Sequence, residues 1–129
     1  MRIGAVTAES GATAKTIRFY EQTGLLPEPP RTSSGYRDYP PETTTRLEFI
    51  RTAQNAGLTL AEIRSILAIR DDGQPPCAHV TALLEAHLAE VERRMAELES
   101  TSTALRGLLA TAAAADPATC AGEGCRILA

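Results

Sequence analysis

The clearest pattern of apolar and polar positions lies in the second half of the chain. Leu84, Leu88, Val91, Met95, Leu98, Leu105 and Leu109 step by three and four, with Ser102 as the one polar intrusion. Such spacing is a heptad seam on a helix. Thr81 and Cys77 extend it backward. Nothing breaks this helix between Cys77 and Ala115 except Gly107, tolerated at a cost of about 1 kcal/mol, and Asp116-Pro117 ends it. A helix packed on its own globular domain needs a wider apolar stripe. The narrow seam therefore predicts a second copy of the chain against it, a homodimer.

The first half reads as shorter elements. A helix is expected over Ile3–Ser10, stopped by Gly11, and a second over Ala14–Gln22, capped by Thr13 and closed by Gly24. Two short helices joined by a tight glycine turn form a helix-turn-helix pattern. Leu25-Leu26-Pro27, Pro29 and Pro30 then impose an extended exit. Ser34-Gly35 is a turn signal inside residues 31–39, which predicts a small β-hairpin, or wing. Pro41 opens a third helix over about 42–55, stopped by Gly57. Thr59 and Glu62 have capping-box spacing and start a fourth helix that runs to about Arg70. Asp71 to Pro76 reads as a linker.

Charge places the functional work. With 13 Lys+Arg against 16 Asp+Glu the chain carries a net charge of -3, so it is no polycation and any nucleic-acid grip must be a local patch. Residues 1–70 hold nine Lys/Arg against seven Asp/Glu and all five aromatic residues. Residues 77–129 hold four Arg against seven acidic residues, so the basic work falls to the N-terminal half. Apolar residues at 43% support a core. Short apolar runs predict no membrane span, and the start has no signal-peptide pattern, so a cytoplasmic location is expected. No nucleophilic triad, phosphate loop or carboxylate pair stands out, and an enzyme is not expected.

Lys15 and Arg18 share a face of the second helix, with Thr16 and Tyr20 beside them, while Ile17 turns toward a core. Lys and Arg neutralise phosphates or read guanine edges, and Tyr donates to phosphate. Arg31 and Arg37 flank the wing turn, with Tyr36 between them. Helix and wing together make a two-point grip on double-stranded DNA, or else an ordinary solvated surface.

Three cysteines complete the candidates. An odd count in a reducing compartment argues against a disulfide framework. Cys120 and Cys125 bracket a Gly-containing loop able to fold two thiolates around one ion. Residues 77–115 span roughly 57 Å as a helix at ~1.5 Å per residue, which separates Cys77 from its own loop. In an antiparallel pair, Cys77 of one copy reaches the loop of the other. Thiolates select soft ions: Hg, Zn, Cd, Pb or Cu(I). Glu123 reads as a solvated loop charge, and His79 as solvated or structural.

Ile17-Arg18-Phe19-Tyr20-Glu21, Gly24-Leu25-Leu26, Gly35-Tyr36-Arg37-Asp38-Tyr39 and Ala56-Gly57-Leu58-Thr59-Leu60-Ala61-Glu62-Ile63, followed by the long helix, resemble the MerR family of transcription activators over essentially the whole chain. The resemblance implies a mainly α fold. A winged helix-turn-helix DNA-binding domain occupies 1–70, a linker 71–76, a long antiparallel coiled-coil dimerisation helix 77–115, and a metal-binding loop and tail 116–129. It assigns Lys15, Thr16, Arg18, Tyr20, Tyr36 and Arg37 to DNA, joined by Arg31 from the wing reading. It makes Cys77, Cys120 and Cys125 ligands of a soft divalent metal, Hg, Zn, Cd or Pb. Copper(I) and gold sensors of the family carry Ser where this chain has Cys77. The implied function is a dimer on a palindromic operator that distorts promoter DNA so that RNA polymerase engages. A Cu(I)-type or thiol sensor of the same fold, an organic-ligand sensor and a metal-buffering protein are the competing readings. The gap from Cys77 to Cys120 is longer, and the Cys120–Cys125 spacing shorter, than in familiar members.

Overall fold

The computed structural model describes residues 1–115 and 127–128, which form two compact units that meet between His87 and Leu88. Five helices are present in the described residues: α1 (Ile3–Ser10), α2 (Ala14–Gln22), α3 (Glu42–Asn55), α4 (Leu60–Asp71) and α5 (Cys77–Ala114).

Local signals set these boundaries. Gly11 ends α1 in the left-handed region at φ 75°, and its N–H donates to the Thr7 carbonyl, a conformation that disfavours residues with a Cβ. Thr13 caps α2 by accepting from the Thr16 N–H. Thr59 and Glu62 form the full reciprocal capping box of α4. α5 stops at Ala114, one residue short of the expected end.

The first unit closes around one core. Val6 of α1, Ile17 and Tyr20 of α2, Leu47 and Ile50 of α3, and Ile63, Ile66 and Leu67 of α4 are buried together with Leu25, Leu26, Tyr39 and Leu58. The α4 trio recurs at the three-and-four spacing that lines one face of a helix. Burial of these core side chains is favourable by about 25 cal/mol per Å² of apolar area removed from water.

The wing differs from expectation. No β-strand is present among the described residues; Arg31 and Arg37 form a single antiparallel bridge. The turn is held by Thr32 N–H to Tyr36 O at 2.7 Å and Gly35 N–H to Thr32 O at 2.9 Å. Pro29-Pro30 before it and Pro40-Pro41 after it have no N–H to extend a ladder. The Tyr39 N–H instead donates to Met1 O at 2.6 Å, tying the exit of the wing to the start of the chain.

The first unit also runs past the 71–76 linker. Val80 and Leu83 of α5 pack on its core. Ser65 Oγ lies 2.8 Å from His79 Nε2, and Glu62 lies 2.8 Å from His87 Nε2. His79 is thus structural, and Glu62 serves the α4 cap and the α4–α5 contact at once. Arg46 of α3 bridges further, donating to Leu25 O and to both Asp71 carboxylate oxygens.

In the second unit, α5 displays Leu88, Val91, Met95, Leu98, Leu105 and Leu109 as exposed side chains. Glu90 pairs with Arg93 and Arg94 on the polar surface, and Arg93 also with Glu97, ion pairs at helical spacing that support an exposed helix.

A candidate nucleic-acid interface

The exposed face of α2 carries Lys15 and Arg18, with Thr16 half-buried at its edge. Thr16 is held by the cap, its Oγ1 accepting from the Thr13 hydroxyl at 2.9 Å. Tyr20 lies beside Thr16 and lines one hollow with it. It is 8% exposed, and its hydroxyl donates to Gln54 Oε1 at 3.2 Å. At ~100° per residue it sits about 40° from Thr16 and about 60° from Ile17, between the two faces, and packing of its ring into the core decides the matter.

A second cluster lies beside α2. Arg18, Arg31, Tyr36, Arg37 and Arg2 line one cleft of about 420 Å³. Arg31 donates to Gly35 O at 3.0 Å, stiffening the wing turn. Arg37 Nε lies 3.2 Å from Glu21 Oε2, with its N–H not aligned for a hydrogen bond. Tyr36 is 54% exposed.

Glu21 is the hinge pin between helix and wing. Its second oxygen accepts from the Tyr39 hydroxyl at 2.5 Å. Burial of the Tyr39 ring, then the hydrogen bond to Glu21 and the Glu21 charge, push the Tyr39 hydroxyl from 10.0 up to about 12. A raised folded-state pKa leaves stability intact below pH ~10 and removes it as pH climbs toward ~12. Chemical unfolding between those pH values should show a loss of stability that Tyr39→Phe lacks; identical slopes in the two proteins would refute the assignment.

Sequence reasoning missed three residues here. Arg2 and Glu21 were not singled out, and neither was Arg51 of α3, which lines a hollow of about 280 Å³ with Gly11 and Thr16 at the helix-turn-helix turn. The contacts of Arg2 and Glu21 join elements distant in sequence, which no local pattern reveals.

Cys77 is free and exposed at the head of α5. Among the described residues no group of three His, Cys, Asp or Glu side chains could hold a metal ion. Cys120, Cys125 and Glu123 lie outside the described residues.

Two family models match this chain, "MerR HTH family regulatory protein" over residues 1–68 and "MerR, DNA binding" over residues 44–108. The chain belongs to the MerR family. It is 40% identical to the HTH-type transcriptional regulator ZntR homolog of Haemophilus influenzae, over 76% of this chain and 73% of that protein. It is 37% identical to the mercuric resistance operon regulatory protein of Bacillus cereus, over 76% of this chain and 74% of that one. Among solved structures it is similar to the transcription regulator PbrR691 of Ralstonia metallidurans CH34 in complex with lead(II), with a TM-score of 0.73, 37% identity and coverage of 99% of this chain and 96% of that one. As a MerR protein it is a transcription regulator and not an enzyme. No helix among the described residues is long and apolar enough to cross a membrane.

Proposed function

We propose that this MerR protein is a metal-responsive regulator that grips a palindromic promoter operator as a homodimer. The observation that carries the DNA half is the meeting of Arg18, Arg31 and Arg37 at one cleft beside the Lys15 and Thr16 face of α2. In a chain of net charge -3, a local concentration of cations is what phosphate binding requires. Tyr20 acts from the core, fixing the angle of α2. The cleft holds the phosphate backbone, while the exposed α2 face enters the major groove.

Three thiolates, Cys77 of one protomer with the partner's Cys120 and the partner's Cys125, form the donor set. Sulfur ligands suit Hg, Zn, Cd or Pb. Support comes from the exposed thiol of Cys77, from the relative named for mercuric resistance and from the solved neighbour holding lead(II). When bound, the ion supplies a cross-link between protomers. Residues of this chain carry the rest. Cys77 opens α5, and His79 and His87 join the first turns of α5 to α4. A displacement at residue 77 therefore reaches the unit that grips DNA. The response is a distortion of promoter DNA that lets RNA polymerase engage both promoter elements.

Titration of the reduced protein with Hg, Zn, Cd and Pb, read by thiolate-to-metal absorbance, should saturate at one ion per chain. A gel shift with DNA from upstream of neighbouring genes should show a complex that weakens steeply with salt. Metal binding without any specific DNA complex would overturn the regulator reading and leave a metal-buffering protein.

A further inference from the structure

The basic cleft contains one cation that neither helix-turn-helix nor wing supplies. Arg2, immediately before α1, places its guanidinium 4.4 Å from the centre of the Tyr36 ring. Both side chains are exposed, and Arg2 makes no ion pair among the described residues. This is a cation–π contact, which draws the guanidinium toward the ring without consuming its charge or its donors. Arg18, Arg31 and Arg37 line the same cleft of about 420 Å³. Of the four arginines, Arg37 alone has a carboxylate beside it, that of Glu21. The cleft thus gathers a net excess of about three positive charges from the segment before α1, from α2 and from the wing, with no acidic side chain in its lining.

Resting on the DNA-binding reading above, we propose that Arg2 is a DNA-contacting residue and that this cleft seats a single backbone phosphate of the operator. A planar guanidinium offers paired N–H donors to two phosphate oxygens. Arg2 is drawn to the cleft before DNA arrives, because its guanidinium already rests over the Tyr36 ring. The contact selects no base, so it acts on affinity and register across all sequences alike. It also links α1 to the wing, so the seat forms only when α1, α2 and wing keep their mutual placement.

The test uses the full chain and a duplex that the wild-type protein selects from a randomised pool. Dissociation constants are measured for wild type, Arg2→Ala and Arg2→Lys over a range of salt. Arg2→Ala should weaken binding roughly tenfold and lower the log–log salt slope by about one per half-site. Arg2→Lys should keep the slope and lose part of the affinity, having charge but no stacking plane. A scan of the duplex with neutral methylphosphonates should find one position per half-site that costs the wild type more than it costs Arg2→Ala, whose Arg18, Arg31 and Arg37 still line the cleft. Should Arg2→Ala fail to fold, Arg2→Lys carries the test, and wild-type affinity in that variant would overturn the role of the guanidinium. Wild-type slope and affinity in Arg2→Ala, or a methylphosphonate loss spread evenly over positions, would overturn the proposal while leaving DNA binding intact. If wild type retains no duplex from the pool, the DNA-binding reading falls and this inference falls with it.

Discussion

Replacing Cys120 and Cys125 together by serine should abolish metal-induced transcription while leaving operator binding in place. In the proposed site the two thiolates are the larger part of the three-sulfur donor set, and serine offers neither the softness nor the acidity that a soft ion needs. Cys77 alone is one exposed thiol with no other donor group beside it among the described residues. The ultraviolet thiolate-to-metal bands should vanish, and a promoter-fused reporter should stay at its no-metal level at all Hg, Zn, Cd and Pb concentrations tested. DNA affinity without metal should match the wild type, because the cations of the cleft and of α2 all precede residue 38. Cys77→Ser should give the same loss of induction if the site draws on both protomers. A reporter still induced in the double variant would refute the cysteine sensor and favour another effector. Loss of DNA binding in the same variant would show that the loop serves the fold rather than the switch.

Much of the fold was legible because its boundaries depend on neighbours in sequence. Gly11 needs a positive φ, Thr13 needs only the Thr16 N–H, and Thr59 and Glu62 cap each other across three residues. The wing was over-read, since Ser34-Gly35 gave the turn correctly but the flanking prolines limit the ladder to one bridge. For the site, residue type picked out Lys15, Arg18, Arg31, Tyr36 and Arg37, and the last four do share a cleft. Tyr20 fell on the boundary between two helical faces, where spacing alone does not decide, and the core took it. Arg2 on Tyr36, Glu21 under Arg37 and Tyr39, and Glu62 with His87 were invisible for one shared reason. Each joins two elements whose crossing is set by the packed core and not by any local periodicity.

Leu98→Glu should convert the protein from dimer to monomer and weaken operator binding by a factor on the order of 10²–10⁴, because a second half-site no longer binds at the effective concentration that linkage provides. Leu98 is 69% exposed in the single chain, so a glutamate there costs the isolated protomer little. Across a symmetric seam the same change buries a carboxylate in each copy against Leu, Val and Met side chains, an environment that disfavours an unpaired charge by several kcal/mol. Leu88, Val91, Met95, Leu105 and Leu109 are likewise exposed along α5. Such a row of large apolar side chains is unusual on a free surface and expected on one that awaits a partner. Sedimentation equilibrium reads the mass directly, and a gel shift on one and on two half-sites reads the linkage. The monomer should bind both duplexes with similar, weak affinity, whereas the wild type should prefer the pair. An unchanged mass would place the dimer contact elsewhere than on this seam. An unchanged affinity in a confirmed monomer would mean that a single copy grips the operator, and the palindrome expected from two recognition helices would no longer follow.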